Sequence, residues 1–204
     1  MARYTGPIAK LARREGAPVD GSDKTMRILQ KKNYPPGEQG DKRRFGKPSE
    51  YSRQLREKQK TKRTFGILEK QFKKYYFLAD KQEGVTGLNM LKLLETRLDN
   101  TVYRAGFAKT RRQARQMASH GLLTLNGKRV KTPSILVKEG DIIIPREKSL
   151  VSPLFADIAK AKIKAPKWLR IDQKATSIEV TSMPDDTDVE QGIESQLIVE
   201  FYSK

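Results

Sequence analysis

The sequence of 204 residues predicts an α+β protein: an all-helical domain with a basic N-terminal arm, and a second domain of helices packed on a small, mostly antiparallel sheet. Three observations predict it. Apolar residues recur at helical spacing through the first half of the chain. After Gly121 they alternate in short runs closed by turn residues. The first 48 residues are basic and repeatedly broken by Gly and Pro.

Residues 1–48 carry Gly6-Pro7, Pro18, Pro35-Pro36-Gly37, Gly40 and Gly46, with too few apolar side chains to offset the entropy of ordering. An extended arm, mobile in the free protein, is expected. Residues 49–63 read as a helix whose apolar stripe is only Tyr51 and Leu55, leaving a wide basic face. Phe65, Leu68, Phe72, Tyr75 and Tyr76 then fall at helical spacing, and Leu88, Leu91, Leu94 and Leu98 keep the period. These form the core of a helical domain over residues 49–91. Tyr76 belongs to that core, whereas Tyr75 fits either the core or base stacking.

The second domain is expected over residues 92–182. Thr110 is placed to cap a helix that carries Arg111, Arg112 and Arg115 outward, with Ala114, Met117 and Ala118 on the other side. Gly121 stops that helix. Leu123 and Leu125 alternate as a half-buried strand would, and Asn126-Gly127 signals a two-residue type I′ hairpin, followed directly by Lys128, Arg129 and Lys131. The turn Glu139-Gly140 precedes a strand at 141–145, and a helix near 152–164 and strands at 167–172 and 176–181 complete the domain. Trp168 beside Pro166 is a packing residue, and Arg97 with Asp99 a structural ion pair or cap. In residues 186–204, Val189, Ile193, Leu197 and Phe201 recur every four positions, with Asp186 or Asp188 available as a cap. We read a helix there. If it packs back on the helical domain, the second domain is an insertion between two parts of the first.

Charge narrows the function. Lys and Arg number 42 against 24 Asp and Glu, a formal net charge of +18, which favours a polyanionic partner. Residues 1–64 hold +11 and 92–131 hold +8, whereas 175–204 hold −6. Two basic regions can therefore grip RNA, and the acidic end should face solvent or protein. No acid lies between Asp99 and Glu139, so Arg111, Arg112 and Arg115 have no local partner and are expected to meet phosphate. His120, at a helix end beside them, either meets a phosphate or complements the helix dipole.

The chain has no cysteine and one histidine, which excludes disulfides and thiolate metal sites and leaves no basis for a zinc or catalytic cluster. No apolar run is long enough to span a bilayer, and the first residues lack the apolar core of a signal peptide. A cytoplasmic site of action follows, or the plastid stroma for a plastid-encoded gene. No Gly-rich nucleotide loop occurs in the right context, and no second catalytic domain remains once the two units are assigned.

Arg97-Leu98-Asp99-Asn100, Tyr103-Arg104, Gly106-Phe107, Thr110-Arg111, Ala114-Arg115-Gln116, His120-Gly121, Asn126-Gly127 and Gly140-Asp141 together resemble the S-four RNA-binding domain. Arg3-Tyr4, Gly6-Pro7, residues 11–16, Tyr34-Pro35-Pro36-Gly37, residues 55–60 and residues 197–204 are similar to the bacterial small-subunit ribosomal protein S-four family. Many members carry a cysteine zinc knuckle near the amino terminus. Here Ala9 and Ala12 stand at two of those positions, which implies a zinc-free variant with no metal or other cofactor. An S-four-domain RNA-modifying enzyme or a free RNA-binding regulator is the alternative, but this chain has no room for a catalytic domain and its arm suits embedding in folded rRNA.

The resemblance implies a primary assembly protein that binds a multi-helix junction of small-subunit rRNA and affects translational accuracy. The rRNA-binding candidates are Arg3, Tyr4, Arg13, Arg14, Lys42, Arg43, Tyr51, Arg56, Lys58, Lys60, Arg63, Arg104, Lys109, Thr110, Arg111, Arg112, Arg115, Gln116, Ser119, His120, Asn126 and Lys128. Arg44 and Lys47 match basic positions at the mouth of the mRNA channel, although Phe45 replaces a further base there. Asp185, Asp186, Asp188, Glu190 and Glu194 are the expected contacts to the neighbouring S-five protein. No homo-oligomer is expected.

Overall fold

The computed structural model describes residues 4–41, 47–150, 152–156, 165–172 and 176–203. Its first helices are α1 (Ile8–Glu15), α2 (Asp23–Lys31), α3 (Glu50–Thr64), α4 (Glu69–Asp80), α5 (Thr86–Glu95), α6 (Leu98–Arg104) and α7 (Arg111–Ser119). Strands β1 (Leu123–Leu125), β2 (Lys128–Val130) and β3 (Ile142–Pro145) follow, then short helices α8 (Glu147–Leu150) and α9 (Pro153–Ala156). Strands β4 (Leu169–Asp172) and β5 (Ser177–Val180) and helix α10 (Ser195–Ser203) end the chain. It divides into two compact units, Met1–Met90 with Gln191–Lys204, and Leu91–Glu190. The second unit is thus inserted into the first.

In the first unit the expected extended arm is replaced by α1 and α2. Gly16, at φ 67°, ends α1 in the left-handed conformation, and Ser22 caps α2 by accepting from the Thr25 amide. Ala12 and Val19 are buried. The Arg13 guanidinium donates to the Tyr34 and Pro35 carbonyls, each at 3.0 Å, and lies over the Tyr34 ring. Glu15 has a fully buried side chain paired with Arg56 at 3.2 Å and with Arg63. Polar contacts to distant residues therefore order this stretch, which its poor apolar content hid.

Tyr75 and Tyr76 are both buried with Phe72 and Ala79, so Tyr75 is a core residue and not a stacking platform. The final helix is shorter than the expected 186–204. It starts at Ser195, after Gly192 at φ 79°, so Val189 and Ile193 lie outside it, and its fully buried residue is Ile198. It packs along α3, with Phe201 against Tyr51 at 5.8 Å, and touches α4, with Tyr202 against Tyr76 at 4.9 Å.

Lys58, expected on RNA, is buried in this unit. Its ammonium donates to Glu69 at 2.8 Å and sits 4.3 Å from the Phe201 ring centroid. Burial alone would raise the Glu69 carboxyl, but donation from Lys58, the Tyr202 hydroxyl and Lys62 brings it down to about 2. The same contact and burial push the Tyr202 hydroxyl well above its ordinary value.

The second unit is a five-stranded sheet in the order β2-β1-β3-β5-β4, with every neighbouring pair antiparallel. Ile143, Ile178, Val180, Leu123 and Trp168 cover one face of it and pack with Leu98, Val102, Ala114 and Met117 from α6 and α7. Trp168 is a packing residue, 1% exposed. The helix expected at 152–164 is described only as α9, and the rest of it lies outside the described residues.

Candidate nucleic-acid interface

Unit two builds its basic surface from α7 and the β1–β2 hairpin. The Thr110 hydroxyl accepts from the Gln113 backbone amide at 3.2 Å, while the Gln113 side-chain oxygen Oε1 accepts from the Lys109 backbone amide at 2.8 Å. This reciprocal cap fixes where α7 begins. Gly121, at φ 67°, stops it, and a Cβ there would lie 2.6 Å from the Arg129 Nε. Glycine therefore serves two needs, a left-handed turn and the close approach of Arg129, which donates to the Gly121 carbonyl at 3.3 Å. That bond fastens the hairpin to the end of α7.

Asn126 and Gly127 have φ 51° and 76°, as a type I′ turn requires, and Leu125 pairs with Lys128 across it. The Asn126 side chain is a clamp: its Nδ2 donates to Asp141 at 2.8 Å and its Oδ1 accepts from the Ile142 amide at 2.8 Å. Both ends of the amide are thus engaged within the unit, while the residue itself is exposed.

The arginines divide. Arg111 does not point outward: it is 9% exposed, donates to Asn100 at 2.8 Å, pairs with Glu190 and lies over the Tyr103 ring. Arg115 pairs with Asp99 at 2.9 Å, which Arg97 also holds through two bonds of 3.0 and 2.7 Å. Arg97 and Asp99 are thus the structural ion pair expected. Arg104 donates to Glu95 at 2.6 and 2.8 Å and to Glu190 at 3.0 Å. Burial would lower its pKa, but the bonds to Glu95 raise it further above the ordinary arginine value. The expectation that Arg111 and Arg115 lack acidic partners is corrected: the partners are Glu190 and Asp99, outside the acid-free stretch.

Lys109, Arg112, Gln116 and His120 recur on the opposite side of α7, and all four are exposed. Ser119 is half-buried and donates to the Gln116 carbonyl at 3.1 Å. Arg129 on the hairpin is exposed too and donates to the Gly121 and His120 carbonyls, which extends this basic surface past the end of α7, and Lys128 and Lys131 are exposed on either side of it in sequence. Arg129 and Lys131 were missing from the candidates. The signal for both was their position just after the Asn-Gly turn, which brings Arg129 back to the end of α7.

In unit one, Tyr4, Arg14, Lys47 and Tyr51 are exposed, whereas Arg13, Arg56 and Arg63 are engaged with Tyr34, Pro35 and Glu15. Lys60 binds Glu57 at 3.2 Å and the Gly192 carbonyl. Arg3, Lys42, Arg43 and Arg44 lie outside the described residues. Of the acids, Glu190 is committed to Arg104 and Arg111, Asp186 to Lys92 at 2.7 Å, and Asp188 to the Asp185 amide at 3.2 Å. Asp185 and Glu194 have exposed side chains.

Among the described residues no cluster of His, Asp and Glu is arranged to hold a metal, and no helix is long and apolar enough to cross a membrane.

The profile of the ribosomal protein S4/S9 N-terminal domain matches residues 3–95, and that of the S4 domain matches residues 96–143. The chain is 47% identical over 212 residues to small ribosomal subunit protein uS4 of Halothermothrix orenii, covering 100% of both chains. It is 49% identical over 206 residues to the protein of that name in Porphyromonas gingivalis, and 46% identical over 208 residues to that of Roseiflexus castenholzii, with 100% coverage of each chain. With relatives so similar over their whole length, and both domain profiles matched, the chain belongs to the uS4 family of small ribosomal subunit proteins.

Proposed function

We propose that this protein is a primary rRNA-binding and assembly protein of the small subunit, acting in the cytoplasm, and that the exposed strip on α7 and the hairpin is its main grip. The observation that carries the reading is the division of the arginines. Arg111 and Arg115 are tied down by ion pairs inside the unit, whereas Lys109 and Arg112 beside α7 and Lys128, Arg129 and Lys131 on the hairpin stand exposed. Cations on a preformed surface neutralise phosphates and release counterions, while Gln116, Ser119 and His120 supply hydrogen bonds that set register. A rigid patch of this kind reads the shape of a folded RNA junction more than its base sequence, and so suits fixing several rRNA helices together.

The exposed acids Asp185 and Glu194 suit a basic protein neighbour, which the family resemblance gives as the S-five protein, and a contact there would affect decoding accuracy. Lys47 is exposed and suits the mRNA channel. Binding of the purified chain to naked small-subunit rRNA across a salt series tests the main reading. Arg112→Gln with Lys128→Gln and Lys131→Gln should reduce the slope of log affinity against log salt by about 2 to 3. An unchanged slope, with the fold intact by circular dichroism, would remove these side chains from the phosphate.

A further inference from the structure

Helix α4 carries a surface that the strip on α7 does not include. Its buried side is Phe72, Tyr75, Tyr76 and Ala79. Its outward side presents Phe77, 49% exposed, among exposed Lys70, Lys73, Lys74 and Lys81, with Asp80 the acid on that side. Lys70, Lys74, Phe77 and Lys81 follow one another at helical spacing, and Lys73 lies one turn before Phe77. The Lys73 ammonium is 5.6 Å from the Phe77 ring centroid.

A half-exposed phenylalanine is ordinary on a helix surface by itself, as is exposed Leu78 beside it; what marks Phe77 is the lysines that share its side of α4. The ring is also held firmly. It meets Tyr76 edge-on at 5.6 Å, and Tyr76 is itself buried against Tyr202 at 4.9 Å. The result is an aromatic platform anchored to the core and ringed by cations, four bases against one acid. Protein interfaces deplete lysine around their apolar anchors. Surfaces for unpaired nucleotides combine the two features, because any base offers a π face and every linkage a phosphate.

We infer that the outward face of α4 is a second RNA contact, on which Phe77 stacks an unpaired base while Lys70, Lys73, Lys74 and Lys81 hold the flanking phosphates. The inference rests on the rRNA-binding reading and extends it to α4, none of whose residues is among the rRNA-binding candidates. The contact is indifferent to base identity, since it uses ring faces and charge only.

The full chain and naked small-subunit rRNA provide the test. Phe77→Leu keeps an apolar side chain but removes the ring, and should weaken binding about tenfold with the circular dichroism spectrum unchanged. Phe77→Trp should bind as the wild type does, and its emission should be quenched on RNA binding above the background of buried Trp168, the single native tryptophan. Wild-type affinity in Phe77→Leu, together with unmoved Phe77→Trp emission at saturating RNA, would overturn the inference, as for a face that docks protein. If that happens while the Arg112, Lys128 and Lys131 substitutions still flatten the salt slope, only the α4 contact fails. If the wild-type chain does not bind the rRNA at all, the underlying reading fails and the α4 contact with it.

Discussion

Arg111 and Glu190 form an ion pair across 79 positions of sequence, and that pair helps hold Arg111 in a buried place while its neighbour Arg112 is exposed. Glu190 also receives Arg104 at 3.0 Å, so one carboxylate from the acidic end of the second unit neutralises two cations beside α7. Removing it leaves two guanidinium groups with part of their charge uncompensated in a partly buried place. Glu190→Ala should therefore lower stability by roughly 1–3 kcal/mol, read from urea midpoints at constant slope. Arg112→Gln, on the exposed side, should stay within about 0.5 kcal/mol of wild type. Equal effects of the two would show that the buried network does not contribute.

The cap at Thr110 can be isolated from the RNA surface. Its hydroxyl satisfies the Gln113 amide at 3.2 Å, so Thr110→Ala should cost about 1 kcal/mol, with Thr110→Ser restoring most of it. Thermal or urea unfolding without RNA reads this directly. No loss in the alanine variant would mean that the first turn of α7 is held by packing alone.

Two glycines in left-handed backbone separate strain from displacement. Gly127, at φ 76°, has open space where a Cβ would go, so Gly127→Ala should cost about 1 kcal/mol from conformation alone. Gly121→Ala meets the same conformational cost and also pushes on the Arg129 guanidinium. It should therefore weaken rRNA binding more than Gly127→Ala does at matched stability. Equal RNA affinities in the two variants would argue against Arg129 as part of the strip.

Acid stability of the first unit should depend on Glu69 with a definite sign. Its carboxyl falls from 4.5 to about 2 in the folded protein, so its contribution is complete above the unfolded value of 4.5 and is lost as pH drops toward 2. Glu69→Gln should flatten the stability profile across that window. Tyr202→Phe, which removes a donor at 2.7 Å, should shift the loss to higher pH. Burial instead raises Glu15, against the pull of Arg56 and Arg63. Its ionised form is thus disfavoured in the fold, and Glu15→Gln should remove a contribution that declines as pH rises through the raised value. Unfolding curves for both variants between pH 2 and 7 check the opposite slopes.

The local features of the second unit were legible in the sequence because they depend on neighbours in the chain. Thr110 caps because its hydroxyl reaches an amide three residues on, Asn126-Gly127 turns because both residues accept positive φ, and the alternation of Leu123 and Leu125 faces them to one side. The basic character and the family resemblance were legible for the same reason. Periodicity, charge totals and short motifs survive in one dimension.

The fate of each charge was decided only in three dimensions. Arg111 and Arg112 are adjacent and chemically identical, yet one is buried against Asn100, Tyr103 and Glu190 while the other is exposed. The stretch that holds α1 and α2 looked too polar to order, and Glu15 reaches Arg56 and Arg63, with 48 positions separating it from the latter. Hydrophobic burial announces itself as a period, because apolar side chains must share a face. An ion pair leaves no period, because its partners come from anywhere in the chain and are set by packing alone.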